Sequence, residues 1–210
     1  MSAFQSTTYE PPYESPMEDL FALNLDKYLA EGVNVTKQTE VQTFCGMYRL
    51  DFVASLAGHP KVAFECDGKD YHDQSRDEWR DALILDAANI KAIYRFPDAA
   101  LFYHTEDCIY LLSRWEPHLF SDRGHANLGR LASQAAQNAG ENPDFGGAML
   151  FYHDPDGSSE TFVTKIERHV IAPPPGCRSF LKDILAFAKR SGLADLDEIR
   201  ARHLKGWLGD

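Results

Sequence analysis

No apolar run in this chain reaches the roughly 18 residues that a membrane-spanning helix needs. The opening stretch MSAFQSTTYEPPYESP has no basic n-region and no apolar h-region, so it does not read as a secretory signal. Cysteine is scarce and scattered. Cys45, Cys66, Cys108 and Cys177 form no C-x-x-C pair, which argues against a structural zinc site and a disulfide framework. These absences together lead us to expect a soluble, cytoplasmic protein with reduced thiols and no membrane partner. Positive charge is also in deficit, with 21 Lys and Arg against 32 Asp and Glu and a net charge of −11. The deficit is local: residues 1–120 carry 10 basic against 20 acidic side chains, and residues 121–210 carry 11 against 12. Free, non-specific nucleic-acid binders present a basic surface, so the first half is a poor candidate for one.

Apolar residues are not lacking. They make up 44% of the 210 residues, and aromatics 12%, enough for a real core rather than a disordered chain. Ser15-Pro16 reads as the N-cap and first turn of a helix carrying Met17, Phe21, Leu25 and Tyr28 or Leu29 on one stripe. Residues 33–42, 48–56 and 61–67 read as strands, with turns near Gly46 and at Gly58-His59-Pro60. Along the second strand, Tyr48, Leu50, Phe52 and Ala54 are expected on one face, and Arg49, Asp51, Val53 and Ser55 on the other. Along the third, Val62, Phe64 and Cys66 oppose Ala63, Glu65 and Asp67.

A helix over 76–89, a buried strand over 90–96 ended by Pro97, and a helix over 106–115 follow. The order of helix, three strands, helix, strand, helix predicts a mixed α/β sheet covered by helices. Beyond it we expect an Ala- and Gln-rich helix over 125–139, strands over 147–153 and 160–170, a break at Pro173-Pro174-Pro175-Gly176, and helices near 178–190 and 195–207. Three regions are predicted: a loose tail at 1–14, a core at 15–118, and an α+β extension at 119–210 making substrate or partner contacts. A chain ending near Glu116 is expected to keep a folded core.

The chemistry concentrates on Asp51 of one strand and Glu65 with Asp67 of the next. Clustered carboxylates repel unless a cation or a proton lies between them. An all-oxygen site of this kind suits magnesium or manganese, which polarises a phosphoryl oxygen and activates water. Lys69 is placed to stabilise charge on phosphorus, and His72 to handle protons. Glu18, on the first helix, is placed to reach the site as an outer metal ligand, although its first-turn position also has a capping explanation. Arg76 and Arg80, one turn apart, are candidate phosphate contacts. Arg95, at the end of a buried strand, is expected to orient a carboxylate. His153, Asp154 and Asp156 suggest a metal, but the D-P-D-G turn explains them more simply.

SPMEDLF at 15–21, RLDF at 49–52, AFECDGKDYH at 63–72 and DEWRDALILDAANIKAIYRF at 77–96 resemble the PD-(D/E)XK, restriction-endonuclease-like nuclease superfamily. The narrower likeness is to its very-short-patch-repair-endonuclease-like branch, over about residues 15–115. The resemblance implies a metal-dependent endonuclease, with DNA the expected substrate and Mg2+ or Mn2+ the cofactor. It makes Asp51 and Glu65 the metal ligands and Glu18, Asp67, Lys69 and His72 further active-site residues. One departure stands out: the position two after Glu65, where the superfamily places Lys, is Asp67. Reading Asp67-x-Lys69 instead restores the Lys and shifts the register by two, on the same strand face. Two other readings stay open. One is a non-catalytic protein that keeps the nuclease fold for binding or assembly, which the acidic first half favours. The other is a nuclease subunit that acts only with a protein partner.

Overall fold

The structure is a computed structural model that describes residues 13–67, 74–141, 146–154, 157, 159–171, 180–192, 195, 197–199 and 201. Helix α1 spans Pro16–Asp26, and Ser15 caps it, its hydroxyl accepting from the Glu18 N–H at 3.1 Å. Strands β1 (Asn34–Thr43), β2 (Gly46–Ser55) and β3 (Lys61–Asp67) form an antiparallel meander. Helix α2 (Gln74–Ala87) then crosses over to β4 (Ile90–Pro97), which lies parallel to β3. Helix α3 (Asp98–Trp115), helix α4 (Asp122–Leu131) and helix α5 (Gln134–Glu141) follow. Strands β5 (Gly147–His153) and β6 (Glu160–His169) and helix α6 (Phe180–Ser191) complete the described elements.

The result is an α/β fold around a six-stranded mixed sheet in the order β1-β2-β3-β4-β6-β5. Two apolar layers lie on its two faces. Phe21 and Leu25 of α1 and Leu101, Ile109 and Leu112 of α3 pack with Phe52, Phe64 and Phe96 on one side. Trp79, Leu83 and Ile84 of α2 and Ile184 and Ala188 of α6 pack with Leu50, Val53, Ala63 and Ile93 on the other. Among the described residues, no helix is long and apolar enough to cross a membrane.

Three expectations change. First, the sheet does not stop at residue 118. β6 pairs antiparallel with β4, and Leu128, Leu150 and Ile166 belong to the same apolar layer as Phe64. The 119–210 region therefore extends the sheet, and a chain ending near Glu116 would leave β4 without its outer neighbour. Second, the helix expected over 125–139 is two helices. The chain turns extended at Ala132, and Asp107 of α3 accepts from Ser133 N–H at 2.7 Å and Ser133 Oγ at 2.6 Å. Ser133 Oγ in turn accepts from Ala136 N–H at the start of α5. A buried carboxylate thus sets the new helix start, which the Ala and Gln pattern does not reveal.

Third, the alternation along β2 breaks at Asp51. Leu50 packs with Trp79 and Leu83, whereas Phe52 and Ala54 pack on the opposite layer with Phe21. The partner strand shows the cause. Gln38, across the ladder from Asp51, has φ +48°, and the pairing skips it. A left-handed non-glycine residue costs on the order of 1–3 kcal/mol and persists only when its surroundings hold it. Here the Gln38 amide is held by donating to the Glu18 carboxylate at 2.8 Å.

Of the expected tail at 1–14, only Tyr13 and Glu14 are among the described residues, and neither is loose. The Tyr13 ring packs edge-on against Phe52 at 5.3 Å, and Glu14 pairs with Arg49 at 2.5 Å. The turn after β5 closes as expected, with Gly157 N–H donating to the Asp154 carbonyl at 2.7 Å. Pro173–Gly176, Asp156 and most of the helix expected at 195–207 lie outside the described residues.

Candidate active site

The β2–β3 ladder ends at Phe52 opposite Phe64. One residue further the strands part, and a side chain takes over from the backbone. The Cys66 N–H donates to Asp51 Oδ2 at 2.8 Å. Arg80 of α2 pins the same opening, its guanidinium donating to both Glu65 oxygens at 3.2 and 3.0 Å and to the Arg49 carbonyl at 2.5 Å. Asp51 and Glu65 thus lie on adjacent strands at the point where the ladder ends, close enough for the charge of Asp51 to act on Glu65.

Both carboxylates hold a proton more tightly than an exposed acid does. Burial pushes Asp51 up from its ordinary value to about 6; the Cys66 N–H opposes the shift, and the charge of Glu18 adds to it. Burial pushes Glu65 up to about 8 against the pull of Arg80, and the charge of Asp51 adds to the rise. Glu65 is only 4% exposed, so there is little water to stabilise its charge. Both residues therefore sit where a negative charge is costly and a cation is welcome.

The other expected residues fall into three groups. Glu18 joins the site, since it is buried, holds Gln38 and lies close enough for its charge to act on Asp51 and Cys66. Asp67 is near but engaged. Its two carboxylate oxygens accept from Arg95 Nη1, at 2.9 and 3.1 Å. Glu65 is engaged in the same way by Arg80, so each of the two acids on β3 has its own arginine. Lys69 and His72 lie outside the described residues. Arg80 enters the cleft as a partner of Glu65, while Arg76 is directed at Asp197, 3.9 Å away.

Arg95 is where the sequence reading saw only part of the arrangement. It is 3% exposed and, besides Asp67, it donates to both oxygens of Asp81 at 2.8 and 2.7 Å. His169 of β6 meets Asp81 through Nδ1 at 2.5 Å and Glu167 through Nε2 at 3.2 Å. Burial alone would raise Asp81, but Arg95 and His169 hold it down at about 2. Burial would lower His169, yet its two carboxylate partners lift it to about 9. The chain Asp67–Arg95–Asp81–His169–Glu167 fastens the end of β3 to α2, β4 and β6. The signal for Asp81 was present as an acid inside the apolar run D-A-L-I-L. His169, 88 residues away, had none.

Among the described residues, no group of three or more His, Cys, Asp or Glu side chains is arranged to hold a metal ion. A magnesium-type ion asks for less, since it takes one or two carboxylates and keeps several waters. Asp51 and Glu65 supply that number. Gln38 Oε1 is also buried without a hydrogen-bond partner, an unsatisfied acceptor in the residue across the ladder from Asp51. Buried acceptors are rarely left unpaired, and a water on a hydrated ion would satisfy it. Carboxylate and amide oxygens are the donor type that a hard divalent cation takes. No family model, curated protein or solved structure matches the chain.

Proposed function

We propose that this protein is a metal-dependent endonuclease that hydrolyses phosphodiester bonds of nucleic acid, with DNA the favoured substrate. The observation that carries this reading is the placement of Asp51 and buried Glu65 on adjacent strands where the β2–β3 ladder ends, with the charge of Asp51 raising the proton affinity of Glu65. The resemblance of residues 15–115 to the PD-(D/E)XK superfamily supports it. Asp51 and Glu65 would hold Mg2+ or Mn2+, which polarises a phosphoryl oxygen and supplies an activated water when bound. The Cys66 N–H fixes the Asp51 carboxylate, and Gln38 fixes Glu18 behind it. Lys69 and His72 are assigned, from sequence position alone, to stabilising charge on phosphorus and to proton transfer.

A second reading has its own support. Glu65 and Asp67 are both paired with arginines, and the first 120 residues are strongly acidic. A non-catalytic nuclease-fold protein for binding or assembly, or a nuclease subunit that needs a protein partner, would show these features. A plasmid-nicking assay in Mg2+ or Mn2+, with and without candidate partners, separates the readings. Wild type should nick, and Asp51→Ala and Glu65→Ala should abolish nicking while circular dichroism shows a folded chain. Full nicking by contaminant-free Asp51→Ala protein would end the assignment.

A further inference from the structure

Two arginines serve the carboxylates around the cleft, and they differ in kind. Arg95 is enclosed. Its side chain is 4% exposed, and its guanidinium is shared between Asp67 and Asp81. Arg80 is open. Its side chain is 23% exposed, and among the described residues its carboxylate partner is Glu65. Arg80 lowers the proton affinity of both Asp51 and Glu65, so its charge stands where it serves the two acids at once. It also spans the β2–β3 opening, from Glu65 on one strand to the Arg49 carbonyl on the other.

We propose that Arg80 is an exchangeable partner of Glu65, which bonds its two oxygens while no divalent cation is bound, yields to that cation, and then turns its guanidinium to the nucleic-acid phosphate. This rests on the metal-dependent reading above and deepens it. The physical reasons are charge and crowding. A divalent ion bound by Asp51 and Glu65 at about 2.0–2.2 Å per oxygen would sit beside a guanidinium that already bonds both Glu65 oxygens. Two cations at that separation repel by several kcal/mol even in a well-screened interior. The long arginine side chain can leave, since it is already 23% exposed. Once released it presents a planar fork of donors at the mouth of the cleft, the geometry that binds a phosphate through two parallel hydrogen bonds. One residue would thus make phosphate binding depend on a loaded cation site.

The exchange gives opposite signs on two readouts, which a purely structural arginine would not. In calorimetric titration of the full chain with Mn2+ alone, Arg80→Gln should bind the ion about tenfold more tightly than wild type, because the competing cation is gone. Arg80→Lys keeps the charge but loses the fork, and should fall between the two; it also serves if the Gln variant folds poorly. Arg76→Gln, one turn away and directed at Asp197, should leave Mn2+ affinity unchanged.

The second readout is fluorescence anisotropy on a slowly cleaved phosphorothioate duplex. Arg80→Gln should match wild type in EDTA, bind more weakly than wild type in Mn2+, and show a salt slope lower by about one in Mn2+ only. A manganese-soaked crystal should show Arg80 away from Glu65. Mn2+ affinity equal to or weaker than wild type in both Arg80 variants, or Arg80 still on Glu65 beside a bound ion, would overturn the exchange. If neither wild type nor the variants bind Mn2+, the metal-dependent reading itself fails and takes the exchange with it.

Discussion

Asp51 is held by a backbone N–H yet crowded by the charges of Glu18 and Asp67, so it gains from its position and suffers from it at once. The balance sets a pH dependence. Its ordinary value of 3.8 rises to about 6, so between those limits the folded chain holds a proton that the unfolded chain has released. Stability without metal therefore falls as pH rises through that window. Glu65, raised from 4.5 to about 8, extends the fall towards pH 8. Asp51→Asn keeps the shape and can still accept from Cys66, but carries no charge. At pH 8 without metal it should be more stable than wild type by about 1–3 kcal/mol, and the difference should vanish near pH 4. Manganese at 100 times its dissociation constant should stabilise wild type by about 2.7 kcal/mol and the variant far less. Thermal melts across pH and Mn2+ concentration check this. Asp51 is merely structural if Asp51→Asn melts lower than wild type at pH 8 and responds to Mn2+ identically.

Between elements, the decisive link is the buried chain from β3 through Arg95 and Asp81 to His169 of β6. Asp81→Ala leaves Arg95 buried with one carboxylate fewer, a loss that typically costs about 3–5 kcal/mol. His169 gives a cleaner test because its contribution can be titrated. Its value is raised from 6.5 to about 9, so the stability it adds is fully present below pH 6.5 and is lost as pH rises through about 9. The gap in urea midpoint between wild type and His169→Gln should be widest near pH 6 and should close by pH 10. A gap that is constant with pH would mean that His169 acts through packing rather than charge. The same elements show what the sequence could reveal. Strands β3 and β4, the cap at Ser15 and the turn at Gly157 were legible because period-2 alternation, a Ser-Pro start and a D-P-D-G turn are local signals. Two features were not. The flip at Asp51 depends on the backbone of Gln38 in another strand, and the β4–β6 pairing joins residues that nothing nearby in the chain connects. The pair of acids Asp51 and Glu65 was legible as residue types on adjacent strands. Its neutralisation by Arg80 and the seating of Asp67 on Arg95 were not, because ion-pair partners are chosen by packing between elements.

At the scale of the whole molecule, the sheet makes one unit of what composition divides in two. The acidic half ends near residue 120, but the apolar layer runs through Phe64, Tyr94, Leu128, Leu150 and Ile166 without a break. Glu116 lies inside this unit. It is fully buried and accepts from Lys91 Nζ at 3.0 Å and from the Tyr94 hydroxyl at 2.5 Å, while Arg168 of β6 donates to that same hydroxyl at 3.1 Å. Ending the chain at Glu116 would remove β5 and β6 and uncover the β4 edge. It would also strip α4 and α5 from α3 and take His169 from Asp81. Each large apolar side chain exposed in this way forfeits about 1.5–3 kcal/mol, against a total stability of about 5–15 kcal/mol for an ordinary domain. Losing two or three such burials, together with a buried ion partner, exceeds that margin. Residues 1–116 alone should therefore show no cooperative urea transition and no fixed near-ultraviolet circular dichroism, and should elute as an expanded or associated species. The full chain should unfold in one transition, with probes of both halves coinciding. A sharp, reversible transition for residues 1–116, with Mn2+ affinity equal to that of the full chain, would show that the site stands without β6 and that the network through His169 is dispensable.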